Sequence, residues 1–480
     1  MKEKQLINYV FFDDNPEHRT FAKNVEKYFG KDSKITFVIG KNSQVDNKSF
    51  LSLRYDVVDF SDRSLKKLLE DKNSRFFFIS KNADRNVYLA FSLMETAKKF
   101  DIQTKDISIY IAPNWDNIEA FILDKQRRML RHFDVKLINI ANLAAHTLSE
   151  KYKPVDHIEI DTETCGAKED FRVAVLGLNH ITREAMFKIY TQGRFENSKF
   201  VLDVYDVGSE AKSLAFKSKY PGFVRDVDIN FYDYGRFIDA IDAVKLNLSK
   251  YKLLIVDMGD DTQNSAFAKD VQEKIIEGNL TDLTVAPYIS SPAGEFFDSD
   301  LYPSIIVFGR LESIYNPDAI ILESYFRSGR YVNDYYNSTK KDAAKMRNWI
   351  GMSEFEKGSN ISVADFNYTF VNLIGKGVFS KFKSSEEFKK WLHDNPKKFE
   401  TLSRTEHLRW SAYLYSNGWD CMPLENQIMV ENKNSKEKKH SCLVPFDELE
   451  KVSEMFNEDY KKYDADNVEI IYEIYKMLNS

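Results

Sequence analysis

Short apolar runs alternate with longer amphipathic stretches over the first two-thirds of the chain. Among the first 152 residues the runs are Tyr9–Phe12, Ile35–Ile39, Tyr55–Phe60, Phe76–Ile79, Ile107–Ala112 and Val135–Ile140. Helical spacing fills Glu17–Phe29, a stretch from Ser64, Asn86–Lys99 and a stretch from about Trp115 to Arg131. The pattern repeats with Phe171–Leu178, Phe200–Val207, Asp228–Phe231, Leu253–Met258, Leu283–Tyr288 and Ser304–Phe308. Strand-length runs separated by helix-length ones predict parallel, doubly wound sheets. In such sheets ligands bind beyond the C-terminal strand ends, where the strand order reverses.

A chain of 480 residues exceeds what one core supports, so several domains are expected. The boundaries read as an α/β domain over 1–152, a linker over 153–170, a second α/β domain over 171–335, a helical connector over 336–384 and a mainly α-helical domain over 385–480. The linker is polar, holds Pro154 and Gly166, and lacks periodicity. Net charge is −6 with no basic stripe, which argues against general nucleic-acid binding. No apolar run approaches the length of a membrane span, and the N-terminus reads as a first strand rather than a signal peptide. Cys165, Cys421 and Cys442 show no metal-ligand spacing, so a reducing cytoplasm and no metal are expected.

Neither α/β segment carries an intact glycine-rich phosphate loop. After the first strand stands Asp13-Asp14-Asn15-Pro16, where two carboxylates would cap a helix, or bind a metal or hydroxyl, and would repel a pyrophosphate. After Phe171–Leu178 a dinucleotide fingerprint wants glycine at 177, 179 and 182; Gly177 is present, with Asn179 and Thr182 in the other places. Thr182 could offer a hydroxyl and an amide to a phosphate. Asp206, at the end of the next strand, stands where such folds hold a ribose hydroxyl, and Asp203 lies within that strand. Asp257, Asp260 and Asp261 cluster at another strand end, as helix caps or as contacts to ligand hydroxyls. Gly177, Asn179, Thr182, Asp206 and Asp257 are thus the candidate cofactor residues, against a retained scaffold that holds no ligand.

The runs YDVVDFSDRSLKKLL, FFFISKNADRNVYLAFSLMETAKK, ISIYIA and VKLINIANLAAHTL resemble the nucleotide-binding domain of Trk-type potassium-uptake regulators (RCK domains). The resemblance matches that family's acidic residue after strand three to Asp59, its helix-opening Asn to Asn86, and the end of the domain to Asn142-Leu143-Ala144-Ala145; it implies a tandem pair with the second α/β segment.

FETLSRTEHLRWSAYLYSNGWDCMP is the most specific stretch of the chain, an amphipathic helix that Gly418 would end. Glu406-His407-Leu408-Arg409-Trp410, Gly418-Trp419 and His440-Ser441-Cys442-Leu443-Val444-Pro445-Phe446 together resemble the ryanodine-receptor-repeat (RyR) domain, with Ser441 where that family has Pro. The preceding segment, with Lys357, Ser359, Asn360 and Asp365, resembles the connector found before bacterial RyR domains. Aromatic rings beside cations suit a nucleobase and its phosphates. Trp410, Trp419 or Phe446 could stack a base, and Arg404, Arg409, Lys438 or Lys439 could pair with phosphate; Glu406, His407 and His440 complete the candidate set. Arg409 leads it, because an arginine on an otherwise apolar helix must find a partner. The competing reading makes the tryptophans core, the lysine loop solvated and His407 a structural hydrogen-bonding residue.

No G-x-S-x-G, H-E-x-x-H, complete P-loop or Cys/His cluster is present, so a binding role is expected ahead of an enzymatic one. The resemblances imply a nucleotide-sensing protein of signalling or antiviral defence, responding to NAD, ADP-ribose or a cyclic nucleotide by conformational change or homo-oligomeric assembly, with a protein partner as a further expectation. The alternatives are a soluble nucleotide-gated regulatory subunit of an ion channel or transporter, and an NAD-dependent oxidoreductase.

Overall fold

The computed structural model describes residues 6–40, 55–117, 132–298, 300–339, 348–422 and 431–479. Two units emerge: Met1–Ala144 with Gly309–Glu323, and Ala145–Phe308 with Ser324–Ser480.

In the first unit, runs rich in Phe, Val and Ile become β1 (Ile7–Phe12), β2 (Ser33–Ile39), β3 (Asp56–Asp59), β4 (Ser74–Phe78), β5 (Ser108–Ile111) and β6 (Asp134–Leu137). All are parallel, in the order β3-β2-β1-β4-β5-β6. Much of the core volume is aromatic: the Phe11 ring lies 5.3 Å from Phe37 and 5.2 Å from Phe77, and Phe77 lies 4.6 Å from Tyr110. Helices α1 (Pro16–Phe29) and α2 (Ala83–Lys99) follow β1 and β4.

The second unit contains β7 (Phe171–Leu176), β8 (Phe200–Val207), β9 (Asp228–Tyr234), β10 (Leu253–Val256) and β11 (Thr284–Pro287), parallel in the order β9-β8-β7-β10-β11. The expected strand over Ser304–Phe308 is reduced to two parallel bridges, Ile305 to Val285 and Phe308 to Tyr288, beyond β11. In both sheets the first strand is central and the order reverses after the third, as in Rossmann folds. Helices α3 (His180–Gln192) and α4 (Asp261–Gly278) follow β7 and β10. The C-terminal part is helical: α5 (Glu354–Ile374), α6 (Pro396–Ser416), α7 (Leu449–Phe456), α8 (Tyr460–Glu469) and α9 (Ile471–Leu478). Gly418, with φ 79°, follows the end of α6. A small sheet of β12 (Asp420–Cys421), β13 (Lys433–Asn434) and β14 (Lys439–His440) packs after it.

Two sequence expectations need correction. Asn15, not the aspartate pair, caps α1, its side chain accepting the His18 amide at 2.8 Å; Asp13 instead pairs with Arg85 and Asp14 with Arg19. From Pro317 the chain makes one helical turn, Pro317–Ile320, and Glu323 then adopts φ 48° and turns it. Residues 153–170 are not featureless: Ile160 and Ala167 form an antiparallel bridge, and the Ala167 amide donates to the Glu196 carbonyl. Most of the stretch expected to be helical from Trp115 to Arg131 lies outside the described residues, and so do residues 340–347, which follow the helix Arg327–Thr339. No described helix is long and apolar enough to cross a membrane.

Candidate functional site

The loop after β7 is closed by its own side chains. Asn179 caps α3, accepting the amides of Ile181 at 2.8 Å and Thr182 at 3.1 Å, and Thr182 Oγ1 both accepts the Asn179 amide and donates to the Gly177 carbonyl. The amides that would cradle a phosphate are therefore already donating. Asn179 Nδ2 donates to Asp257 Oδ2 at 2.9 Å, and Asp257 Oδ1 accepts the Gly259 amide and Asn264. Gly177 is needed for a separate reason. Its φ is 87°, and a Cβ there would fall 2.1 Å from the Asp257 carbonyl oxygen. The glycine answers the approach of the neighbouring strand.

Asp206 is buried at the end of β8, with Oδ2 on Lys212 Nζ at 2.7 Å and Oδ1 accepting the Val207 amide. Asp203 accepts from Asn230 and Tyr251, Asp260 caps α4, and Asp261 accepts the amides of Ser290 and Ser291. In the first unit Asp59 accepts from the hydroxyls of Ser61 and Ser64. Asn86 is buried on α2, accepting the Ser80 amide and donating to the carbonyls of Ser80 and Ala112. Asn264 on α4 does the same work, accepting the Met258 amide and donating to the Tyr288 carbonyl. Both asparagines tie the loop after the fourth strand to the end of the fifth.

The C-terminal region holds a cavity of about 320 Å³, within the range of roughly 300–1,000 Å³ usual for small-ligand sites. Among the described residues, His407, Trp410, His440, Cys442 and Leu449 form one part of its wall, and Asn432, Glu458, Tyr460, Tyr463, Asp464 and Asn467 another. The Trp410 ring lies 5.1 Å from His440 and 5.8 Å from His407. His407 is fixed from both sides: Nε2 is 2.8 Å from the Val444 carbonyl and Nδ1 is 3.1 Å from Asp464. Burial alone would lower its pKa, but the Asp464 hydrogen bond and charge outweigh that and raise it, in keeping with two ring nitrogens that both face acceptors. His440 goes the other way, lowered to about 4 by burial and then by the charges of Lys433 and His407. Its Nδ1 accepts the Cys442 amide, which leaves the proton of the neutral ring on Nε2.

Of the nine RyR-region candidates, His407, Trp410 and His440 line the cavity, and Phe446 packs against His407 at 5.9 Å. The others are placed elsewhere. Trp419 stacks on Phe355 at 5.5 Å with Lys433 over its ring. Arg404 is held by Glu400 and Asp447 and lies over Phe446, and Lys439 pairs with Asp420 at 2.6 Å. Arg409, the expected phosphate contact, is 1% exposed, with Nε and Nη2 each 2.7 Å from the Glu406 carboxylate and Nη1 on Ser362. It did need a partner, and Glu406 is that partner. Lys357 pairs with Glu354, and Asn360 donates to the Glu356 carbonyl. Asp365 forms a buried cluster with Lys188 and Tyr325. Sequence reasoning missed Tyr460, Tyr463, Asp464 and Asn467, although their spacing puts them on one face of α8.

Two Rossmann-like sheets joined to a helical region that carries an aromatic, polar cavity define a tandem α/β protein. No protein-family model and no curated protein matches the chain. Among solved structures it is similar to one component of the dipicolinate synthase of Bacillus halodurans and to its counterpart in Bacillus subtilis. Each is 10% identical with a TM-score of 0.24, over 66% of this chain and 97% and 94% of theirs, respectively. The fold class rests on the strand order rather than on that likeness.

Proposed function

We propose that this protein senses a nucleotide-derived ligand, and that the ligand enters the cavity between α6 and α8 within an RyR-type domain spanning residues 385–480. The observation that carries this reading is the cavity itself, with Trp410, Tyr460 and Tyr463 as ring surfaces beside amide, imidazole and carboxylate groups. On this reading the Trk-like tandem α/β domains form the scaffold that responds, by conformational change or assembly, in a signalling or defence role. The channel-regulator and oxidoreductase readings ask the Gly177 loop to hold a pyrophosphate, which would have to displace the Asn179 side chain from the Ile181 and Thr182 amides.

The test is a thermal-shift panel of NAD, ADP-ribose, ATP, and cyclic mono- and dinucleotides. A ligand at 100 times its Kd adds about 2.7 kcal/mol to stability. The shift should disappear in Tyr463→Ala, a substitution at a 53% exposed side chain, and persist in Asp206→Ala. A shift lost only in Asp206→Ala would move the site to the second α/β domain and overturn the proposal.

A further inference from the structure

The cavity wall distinguishes the two ends of a nucleotide. Its carboxylates are Glu458 and Asp464, and among the described residues neither lysine nor arginine lines it. Of the cations around it, Arg404 is held by Glu400 and Asp447, Arg409 by Glu406 and Lys439 by Asp420, while Lys433, whose charge reaches His440, lies over the Trp419 ring rather than in the wall. Within the wall, His407 is locked against Asp464. A phosphate entering here would meet the Glu458 and Asp464 carboxylates with no lysine or arginine in the described wall to contact. A ring bearing an amino group meets the opposite situation. Tyr460 and Tyr463 offer aromatic surface with Trp410, and Asn432 adds an amide oxygen to the acceptors supplied by Glu458, whereas Asn467 Oδ1 already accepts the Tyr336 hydroxyl at 3.0 Å. Glu458 accepts the Tyr463 hydroxyl, which holds the carboxylate beside that ring.

We propose that the cavity binds the base end of its ligand, an amino-bearing heterocycle stacked by the aromatic wall with its amino group on Glu458, while sugar and phosphates remain outside. This rests on the nucleotide reading above and adds the orientation and class of the bound group. Glu458 is the selecting residue because it is the exposed carboxylate of the wall, whereas Asp464 is buried and engaged by His407.

Isothermal titration of the full chain tests this with adenosine, cytidine and guanosine, their mono- and triphosphates, inosine, uridine and ribose 5-phosphate, at two salt concentrations. At least one amino-bearing nucleoside should bind within about threefold of its own nucleotides, with little change in salt, because no phosphate contact contributes. For the base that binds, the analogue without the amino group should be at least roughly tenfold weaker, since it leaves an acceptor unpaired. Glu458→Gln should weaken the amino-bearing nucleoside by a similar factor while leaving the unliganded melting temperature unchanged. Binding of nucleotides but not nucleosides, binding of ribose 5-phosphate, or an unchanged affinity in Glu458→Gln would overturn the base-first orientation and leave nucleotide sensing standing. Binding of none of these compounds would overturn this inference, and a thermal-shift panel that also gave no shift would remove the nucleotide reading as well.

Discussion

His18 illustrates how one side chain can set a pH limit on the first unit. It is 1% exposed, and its Nε2 accepts the Ile79 amide at 3.2 Å, so the neutral ring carries its proton on Nδ1, 3.1 Å from the Asp13 carbonyl. Burial, opposed by Asp13 and Asp14, holds its pKa down at about 4. The unfolded chain binds this proton near pH 6.5, so the stabilisation is complete above that value and is lost as pH falls towards 4, about 3 kcal/mol in all. The stability difference between the wild type and His18→Gln should therefore shrink between pH 7 and 4; a pH-independent difference would refute this account. Arg409 makes the opposite case of a charge that must stay buried. Arg409→Met should cost about 3–5 kcal/mol in denaturant unfolding, because Glu406 is left charged and unpaired in the interior. If that variant kept wild-type stability, the pair would be dispensable.

At the scale of elements, the second sheet depends on Gly177 for packing. Gly177→Ala forces a Cβ against the Asp257 carbonyl at a positive φ, which should cost about 2–5 kcal/mol in unliganded protein. A loss of stability that appears only with nucleotide present would instead restore a phosphate role to this loop. The two asparagine ties allow a parallel comparison: Asn86→Ala and Asn264→Ala should each cost on the order of 1–3 kcal/mol per polar group left unpaired, read by urea unfolding. The strands and their parallel order were legible because apolar runs bounded by turns are a local signal. His407, Trp410 and His440 line one cavity, although His440 lies on β14, far along the chain from α6. The Asp13 partner was not legible, since Arg85 is brought up by another element and sequence spacing carries no such information; the Arg409–Glu406 pair and the Asn179 cap are local, and the i,i+3 spacing on α6 could have shown the first of them. The α8 stripe of Tyr460, Tyr463, Asp464 and Asn467 was legible as a helical face, but only the cavity shows that the face is lined rather than merely solvated.

At the scale of the whole chain, the first unit is discontinuous in sequence. Its main body ends at Ala144, but Gly309–Glu323 belongs to it, returning after the entire second sheet. Ile314 and Tyr315 of that segment are buried, the Tyr315 carbonyl accepts Asn24 of α1 at 2.8 Å, and Glu323 pairs with Lys136 of β6. A fragment ending at Ala144 would expose the apolar surface those residues cover and leave the Asn24 amide without its acceptor. Burying two large side chains is worth about 1.5–3 kcal/mol each, a substantial share of the roughly 5–15 kcal/mol that holds a domain together. Residues 1–144 alone should therefore melt at a markedly lower temperature than the same residues mixed with a saturating peptide of residues 309–323. The peptide acts as a ligand of the folded fragment, so the rise should grow with its concentration. A peptide carrying Tyr315→Ala should raise the melting temperature less, and an unmodified peptide without effect would mean that the segment follows the unit without supporting it.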